Sequence, residues 1–231
     1  MRQTSPDHQG NSSYPLFLPK RLCSTKSCVW TSAHCAIVGS TSLHGMIFSE
    51  LRSYADGKLG PGAWNAVLKR ARLEQSVYLP IQEYPDCEAS ALIAAVSAAT
   101  RRNLSVVLED FGEFIAPTLM KLHGHLLLPE WKTIDVIDHT EGTIHSVVRM
   151  KDPAAAPPHL TTKRLGPDEV LLVYTSPRKM CALAVGISRG LAKHFEETIV
   201  ANHRMCMHRG APRCEIIFRK MREPRVAKGP Q

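Results

Sequence analysis

The 231-residue chain lacks any long apolar run. No stretch approaches the roughly 20 apolar residues that a membrane-spanning helix needs, which predicts a protein without a membrane-embedded part. The stretch YPLFLP near the N-terminus is too short, and too interrupted by proline, for the apolar region of a secretion signal. We therefore expect a cytoplasmic protein, in which the seven cysteines serve as metal ligands, reactive thiols or core residues rather than disulfides.

The central part of the chain lacks excess charge, although the whole chain carries a formal charge of +8. Residues 1–43 contribute +3 and residues 219–231 contribute +4, whereas the 175 residues between them hold 20 basic and 19 acidic side chains. A groove that follows a phosphate backbone needs its positive charge on the folded surface. We therefore expect no nucleic-acid partner, and we interpret the basic ends as solvated tails.

The sequence also lacks the common catalytic and nucleotide-binding motifs. It contains no nucleophile elbow, no P-loop, no dinucleotide fingerprint and no internal repeat. These absences favour a binding or sensing protein over an enzyme. We also expect no kinase or cyclase output domain, because the predicted domain accounts for the ordered length.

The domain organisation follows from composition. Residues 1–43 are rich in Ser, Thr, His, Gln and Pro without periodicity, which predicts a disordered extension. Residues 44–220 form the predicted domain, and residues 221–231 form a basic, disordered tail. A metal site in the extension is the alternative, but the spacing of its candidate ligands matches no common zinc finger: Cys23, Cys28, His34 and Cys35.

Hydrophobic periodicity predicts an α+β fold. Apolar residues recur at intervals of three and four through residues 88–100, 105–122 and 131–150, which is typical of helices. The stretch LTTKRLGPDEVLLVYTS (160–176) then predicts two strands around a turn, and a helix over 179–195 and two closing strands follow. We expect an N-terminal helical subdomain and a C-terminal subdomain with a small antiparallel sheet of about four strands and helices.

The stretch VYTSPRKMC places three polar side chains at alternate positions: Tyr174, Ser176 and Arg178. Alternate residues of an extended strand share one face, so two hydroxyls and a guanidinium would lie together. Arginine binds carboxylates with two hydrogen bonds, and hydroxyls fill the remaining acceptor sites. The pattern suits a ligand with paired carboxylates, but a surface strand that ends in arginine is common.

His145 lies 29 residues before Tyr174, on the predicted helix over 131–150. A lone helical histidine is more often a core or surface residue than a ligand. His139 would lie about 240° away around an ideal helix, so the two histidines cannot face one pocket. Gly142, one turn before His145, weakens the helix that positions it.

Taken together, TIHSVVRM, AAAPPHL and YTSPR resemble the bacterial heme-nitric oxide/oxygen-binding (H-NOX) family in order and spacing. The opening motif of that family is matched by Gly45, Ile47 and Phe48. The resemblance covers roughly residues 44–219. It implies a heme b group between the two subdomains.

The resemblance also implies roles for individual residues around that heme. His145 would ligate the iron, and Pro158 would press on the heme and distort it. The propionates would be gripped by Tyr174, Ser176 and Arg178.

Three aliphatic residues match the distal pocket of the family: Leu51, Ile115 and Leu183. Members that hold oxygen have a tyrosine at the position of Leu183. The resemblance therefore implies a sensor of NO, with CO as a further ligand, that does not retain oxygen. The signal would pass to a histidine kinase or a cyclic-di-GMP enzyme. A heme enzyme such as a peroxidase would instead need polar acid and base residues in the pocket.

The stretch HRMCMHRGAPRC suggests a second metal. His203, Cys206 and Cys214 have spacing suited to three corners of a tetrahedral zinc site, and Cys181 is the candidate for the fourth. The same four residues match a zinc-containing subset of the bacterial family. His208 is the rival for the histidine position, and reduced cysteines packed in the core are the alternative to a metal site.

A second function is compatible with the cysteine cluster alone. CMHRGAPRCEI also resembles the C-terminal strand pair of 4-vinyl-reductase-type small-molecule-binding domains. A zinc-stabilised module for another hydrophobic ligand, or a thiol-based redox sensor without heme, would keep the cluster and have no use for His145.

Overall fold

Helices dominate the first half of the computed structural model, which describes residues 42–74, 77–152 and 155–221. The predictions for the N-terminal extension up to residue 41 and for the tail from residue 222 lie outside these residues. In chain order the helices of the first half are α1 (Gly45–Leu59), α2 (Ala63–Ala71), α3 (Asp86–Thr100), α4 (Leu104–His123) and α5 (Thr133–Thr140). A 3₁₀ turn over Gly124–Leu126 follows α4.

The stretch that carries His145 is not one regular helix. After α5 the backbone forms a π-helical turn, Glu141–His145, and then a short helix α6, Ser146–Lys151. Gly142 lies inside this turn, where a residue of low helix propensity weakens the regular hydrogen-bond ladder. The extra residue per turn of a π helix changes the rotation of the side chains that follow. Ile134 is accordingly buried before the turn, whereas Ile144 is only half-buried within it.

The second half forms the predicted four-stranded antiparallel sheet. Its strands are β3 (His159–Gly166), β4 (Glu169–Thr175), β5 (Ile199–Met205) and β6 (Cys214–Lys220), and their spatial order is β3-β4-β6-β5. Helix α7 (Cys181–His194) connects β4 to β5. The α+β prediction is confirmed. In the register of the sheet, Tyr174 lies between Leu160 on β3 and Cys214 on β6.

A second, two-stranded sheet is not among the predictions. Strand β1 (Ser42–His44) pairs antiparallel with β2 (Glu83–Pro85), immediately before α1 and α3 begin. Three residues are too few for the alternation of apolar and polar side chains to identify a strand.

The molecule has two apolar cores, and α7 contributes to both. Ala182 belongs to the core of the helical part, whereas Val185 belongs to the core beneath the sheet. Helices α4 and α7 pack closely because glycines line their contact. A Cβ atom on Gly186 would lie 2.0 Å from the Glu109 carbonyl oxygen, and one on Gly112 would lie 2.4 Å from that of Leu183.

No single helix among the described residues is long and apolar enough to cross a membrane. One pair of neighbouring helical segments reaches that length and composition together, but the chain bends by 108° between them: Asp86–Thr100 and Leu104–Leu126.

Candidate functional site

His145 is the last residue of the π-helical turn, and its side chain is only 15% exposed. Its Nδ1 atom lies 2.9 Å from Oε2 of Glu141. Burial lowers the pKa of His145 below the ordinary histidine value, although hydrogen bonds with the Glu141 carboxylate and the Pro158 backbone work in the opposite direction. The ring is therefore neutral at pH 7. Because a carboxylate can only accept, Nδ1 carries the proton and Nε2 has the lone pair that an iron ligand needs.

Glu141 is a site residue that the sequence motifs do not indicate. The available signal is a carboxylate four residues before the histidine on a predicted helix, since residues at this spacing are neighbours on a helix surface. Asp86, which pairs with Arg178, lies 92 residues away in sequence and has no comparable signal.

The hydroxyl groups of Tyr174 and Ser176 lie in a buried network at the end of β4. The Tyr174 oxygen accepts a hydrogen bond from the Met180 backbone N–H, at 3.2 Å, and the Ser176 hydroxyl oxygen accepts one from the Arg178 backbone N–H, at 3.3 Å. Burial raises the pKa of Tyr174, so the phenol is neutral. The phenol therefore keeps a proton that it can donate.

Arg178 is buried at the meeting point of several segments, with a side chain that is 8% exposed. Its Nε atom pairs with the Asp86 carboxylate at 2.5 Å. One terminal nitrogen donates to the Ala156 carbonyl, and the other donates to the Ser42 carbonyl at 3.0 Å. These contacts engage three of the five N–H donors of a guanidinium, which leaves capacity for a carboxylate ligand.

The predicted alternation along one strand needs a correction. Strand β4 ends at Thr175, so Ser176 and Arg178 lie beyond it. Pro177 has no N–H to extend the ladder, and the Lys179 N–H donates to the Ser176 carbonyl at 3.1 Å, which closes a turn. The side chains of Ser176 and Arg178 still point inward, whereas those of Thr175 and Pro177 are exposed.

The residues that match the distal pocket come together in the helical core. Leu51 on α1 and Ile115 on α4 are fully buried, and Leu183 on α7 is partly buried against the same core. None of these three side chains has a hydrogen-bond donor. Pro158 is half-buried in the segment before β3.

Three cysteines form a compact cluster at one end of the sheet. The sulfur atoms of Cys181, Cys206 and Cys214 all lie within 4.8 Å of one another. The Cys206 sulfur is 3.9 Å from each of the other two. Zinc–sulfur bonds of about 2.3 Å at tetrahedral angles place two sulfurs about 3.8 Å apart. The cluster therefore fits three corners of a zinc site.

The fourth predicted ligand, His203, lies on β5, outside that 4.8 Å group. Its Nε2 atom is buried without a hydrogen-bond partner among the residues that the structure describes. Buried polar atoms normally have partners, so this nitrogen is consistent with metal ligation. The rival, His208, is exposed and directs its Nε2 to the Lys179 carbonyl at 2.6 Å.

The environments of the three thiols give them different acidities. Burial raises the pKa of both Cys181 and Cys214. Although burial works the other way, a hydrogen bond from the His208 backbone lowers the pKa of Cys206. Zinc binds thiolates, so metal binding at this cluster must displace protons from Cys181 and Cys214.

A sequence model of the family described as Haem-NO-binding matches residues 44–203. This span includes His145, Arg178 and Cys181 and covers well over half of the chain. The chain belongs to the Haem-NO-binding family.

Solved structures agree with this assignment. An H-NOX protein from S. oneidensis in the Fe(II)NO state has 26% sequence identity and a TM-score of 0.72, with 78% of this chain and 100% of that chain covered. The H-NOX domain of Shewanella oneidensis in the Fe(II)CO state has 25% identity and a TM-score of 0.70, with 78% and 100% covered. The Fe(II) unliganded protein from K. algicida, at 22% identity, TM-score 0.72 and coverage of 78% and 98%, shares the fold. No curated protein sequence matches the chain.

Proposed function

We propose that the protein is a heme-based gas sensor that binds NO at ferrous heme b and signals to a separate output protein. The observation that carries this proposal is the largely buried His145, whose Nδ1 lies 2.9 Å from the Glu141 carboxylate. A neutral imidazole that donates from Nδ1 has its lone pair on Nε2, which is the atom that would bind iron. When bound, the heme iron supplies the open coordination position for a diatomic gas. Family membership and the Fe(II)NO state of a solved relative support this function.

The propionate groups of the heme would be held by Tyr174, Ser176 and Arg178. Tyr174 contributes a phenolic proton, and Arg178 contributes a guanidinium whose charge is held in place by Asp86. A buried carboxylate needs charge-assisted hydrogen bonds, and arginine supplies the strongest of them. Pro158, in the segment before β3, would contact the heme.

The distal pocket would favour NO and CO over oxygen. Leu51, Ile115 and Leu183 offer no N–H or O–H group to a polar ligand, and the polarity and donors of the distal pocket decide which gas is retained. The domain would act as a sensor rather than as an enzyme, because these three side chains include no acid or base that could take part in a reaction.

The second metal of the proposal is zinc, held by Cys181, His203, Cys206 and Cys214. The sulfur–sulfur distances of 3.9 Å and the unpartnered Nε2 of His203 support it. A zinc ion there would join the start of α7, the end of β5 and the start of β6. Its role would be structural, because a site with four protein ligands has no open position.

The output protein would be a histidine kinase or a cyclic-di-GMP enzyme, by analogy with the family. In such a system the gas would shift the population between two arrangements of the domain, by an amount set by its differential affinity for the two.

The test is an absorption spectrum of the reduced, air-free protein before and after addition of NO. We expect a Soret band that shifts when NO is added. We also expect that the ferrous protein forms no stable complex with oxygen in air. His145→Ala should weaken or abolish heme binding. His139→Ala is the matched control, because His139 lies on the same helical stretch but is exposed and stacks on Trp131.

A wild-type protein that binds no heme after reconstitution, but holds one zinc per chain, would contradict the proposal. That result would favour the zinc-stabilised small-molecule-binding or thiol redox module instead. Equal heme binding by the His145→Ala and wild-type proteins would contradict the assignment of His145.

A further inference from the structure

The carboxylate of Glu141 is held by groups from two parts of the fold. Its Oε2 atom accepts from His145 Nδ1 at 2.9 Å and from the Leu160 backbone N–H at 3.2 Å. Its Oε1 atom accepts from Arg149 and lies 3.4 Å from Nδ1 of His159. His145 and Arg149 belong to the helical stretch, whereas the other two partners begin β3. The carboxylate is therefore held both by the helical stretch and by the start of β3.

This arrangement differs from an ordinary ion pair on a helix surface. The side chains of Glu141 and His145 are 22% and 15% exposed, so water screens their interaction only in part. The two residues are also the first and the last of the π-helical turn. Their hydrogen bond thus spans the irregular turn and connects its end to β3 through Leu160.

A carboxylate that accepts from Nδ1 changes the other nitrogen of the ring. It fixes the tautomer with Nε2 unprotonated, orients the ring, and makes Nε2 a more basic ligand. Arg149 binds the second oxygen of the same carboxylate. Because its positive charge offsets part of the negative charge on Glu141, it moderates this effect.

We infer that Glu141 is the positioning residue of His145 and sets the strength of the bond between His145 and the iron, with Arg149 as the moderating charge. This inference rests on the proposed function. In this view Glu141 determines how firmly His145 is held, and therefore how readily a gas ligand displaces it from the iron.

The first experiment examines the histidine pair by itself. ¹⁵N chemical shifts of the histidine-labelled, full-length protein without heme report which ring nitrogen of His145 carries the proton. We expect the Nδ1–H tautomer of His145 in the wild type and in Glu141→Gln, which keeps an acceptor of the same shape. Glu141→Leu should give a mixture of tautomers and about tenfold weaker heme binding, the lower end of the range for lost outer-shell partners.

The second experiment measures the iron–histidine stretching frequency of the ferrous, heme-loaded protein by resonance Raman spectroscopy. The frequency should fall in Glu141→Gln and rise in Arg149→Met, because the first removes the negative charge and the second leaves it unshared. The control is Glu169→Gln, which removes a carboxylate that pairs with Arg219 on the sheet. It should leave the frequency unchanged.

An unchanged frequency in both Glu141→Gln and Glu141→Leu would overturn the inference, as would a wild-type tautomer in Glu141→Leu. If the wild-type protein binds no heme, the proposed function fails. The ¹⁵N shifts then still decide the role of Glu141: an altered tautomer in Glu141→Leu supports the positioning of His145, and an unaltered one contradicts it.

Discussion

The two candidate metal centres are built on different kinds of structure. The histidine centre lies on the stretch from α5 through the π-helical turn to α6, where every residue from 141 to 149 is at least partly exposed. The cysteine centre lies where α7 begins beside one end of the antiparallel sheet, and its residues Cys181 and Cys214 are buried, although the register of β5 and β6 is irregular at His203. Segments with few buried apolar side chains open at a lower free energy than buried strands. The comparison favours a movable ligand at the proposed gas-binding centre and a fixed ligand at the proposed zinc centre.

This difference matches the chemistry that each centre would perform in the proposed function. A sensor needs an element with two arrangements of similar free energy, and a π-helical turn is a common feature of such functional segments. A structural zinc site needs the opposite, since its binding free energy contributes directly to folding. Four predictions follow from the comparison, in order of decreasing effect.

Removal of a ligand from the fixed centre should have the largest effect. Cys214→Ala should lose zinc and lower the free energy of unfolding by more than about 4 kcal/mol, because loss of a structural metal is among the few changes of that size. Metal analysis and urea unfolding measure both quantities. A chelator should bring the wild type to the stability of the variant and leave the variant unaffected. A wild type whose stability does not depend on zinc would remove the distinction between the centres.

Equal truncations in the two regions should have unequal costs. Ile216→Ala, at a fully buried position on β6, should lower the free energy of unfolding by about 2–5 kcal/mol. Ile144→Ala, in the half-buried π-helical turn, should cost about 1 kcal/mol, since it loses little buried area and leaves no closed cavity. Urea unfolding of both variants makes the comparison. Equal costs would show that the two regions are packed equally well.

Glu197 connects the two regions, and its contribution to the free energy of unfolding should depend on pH. Its carboxylate, 8% exposed, accepts from the Thr133 N–H at the start of α5 and from Lys220 at the end of β6. Although burial works the other way, these hydrogen bonds lower the pKa of Glu197. Glu197→Gln should therefore lower the free energy of unfolding at pH 7 by about 2 kcal/mol.

The sign of the pH dependence follows from the lowered pKa. The contribution of Glu197 is fully present above the ordinary glutamate pKa of about 4.3 and is lost as the pH falls through the folded value. The difference between the variant and the wild type should therefore shrink below about pH 4. Glu169→Gln, which breaks an exposed pair with Arg219, is the control and should cost under about 1 kcal/mol. A difference that persists at low pH would rule out a charged Glu197 as the cause.

The smallest expected effect is a gain of stability in the movable region. Gly142→Ala places a methyl group where no neighbouring atom lies within 4 Å. It should raise the free energy of unfolding by about 0.4–1 kcal/mol, because alanine restricts the unfolded chain and favours a helix. Gly186→Ala is the contrasting control, since its Cβ would collide with the Glu109 carbonyl and should destabilise the protein. Loss of stability in Gly142→Ala would show that the π-helical turn requires glycine.

The fold could be predicted where the sequence pattern is long. The helices α3 and α4 and the four strands of the sheet each repeat their period several times, so periodicity identified them. The π-helical turn at Gly142 and the sheet of β1 and β2 involve only a few residues each. Local backbone geometry over so short a span leaves no periodic signal.

The candidate site could be predicted where spacing along the chain carries the information. The roles of His145 and the Tyr174 motif follow from the resemblance to the family, and those of the cysteines around His203 follow from their spacing together with that resemblance; all of them stay predictions. The partners Glu141 and Asp86 could not be assigned in the same way. A carboxylate beside a histidine on a helix is common, and the pairing of Asp86 with Arg178 exists only after the chain has folded.

The most direct test of the movable centre is hydrogen–deuterium exchange of the reduced, heme-loaded protein before and after addition of NO. We expect the backbone amides of residues 141–151 to exchange faster with NO, because a gas ligand that displaces His145 from the iron would release that stretch. The amides of strands β5 and β6 should be unchanged. Equal changes in both regions, or changes confined to the strands, would contradict a movable histidine centre beside a fixed cysteine centre.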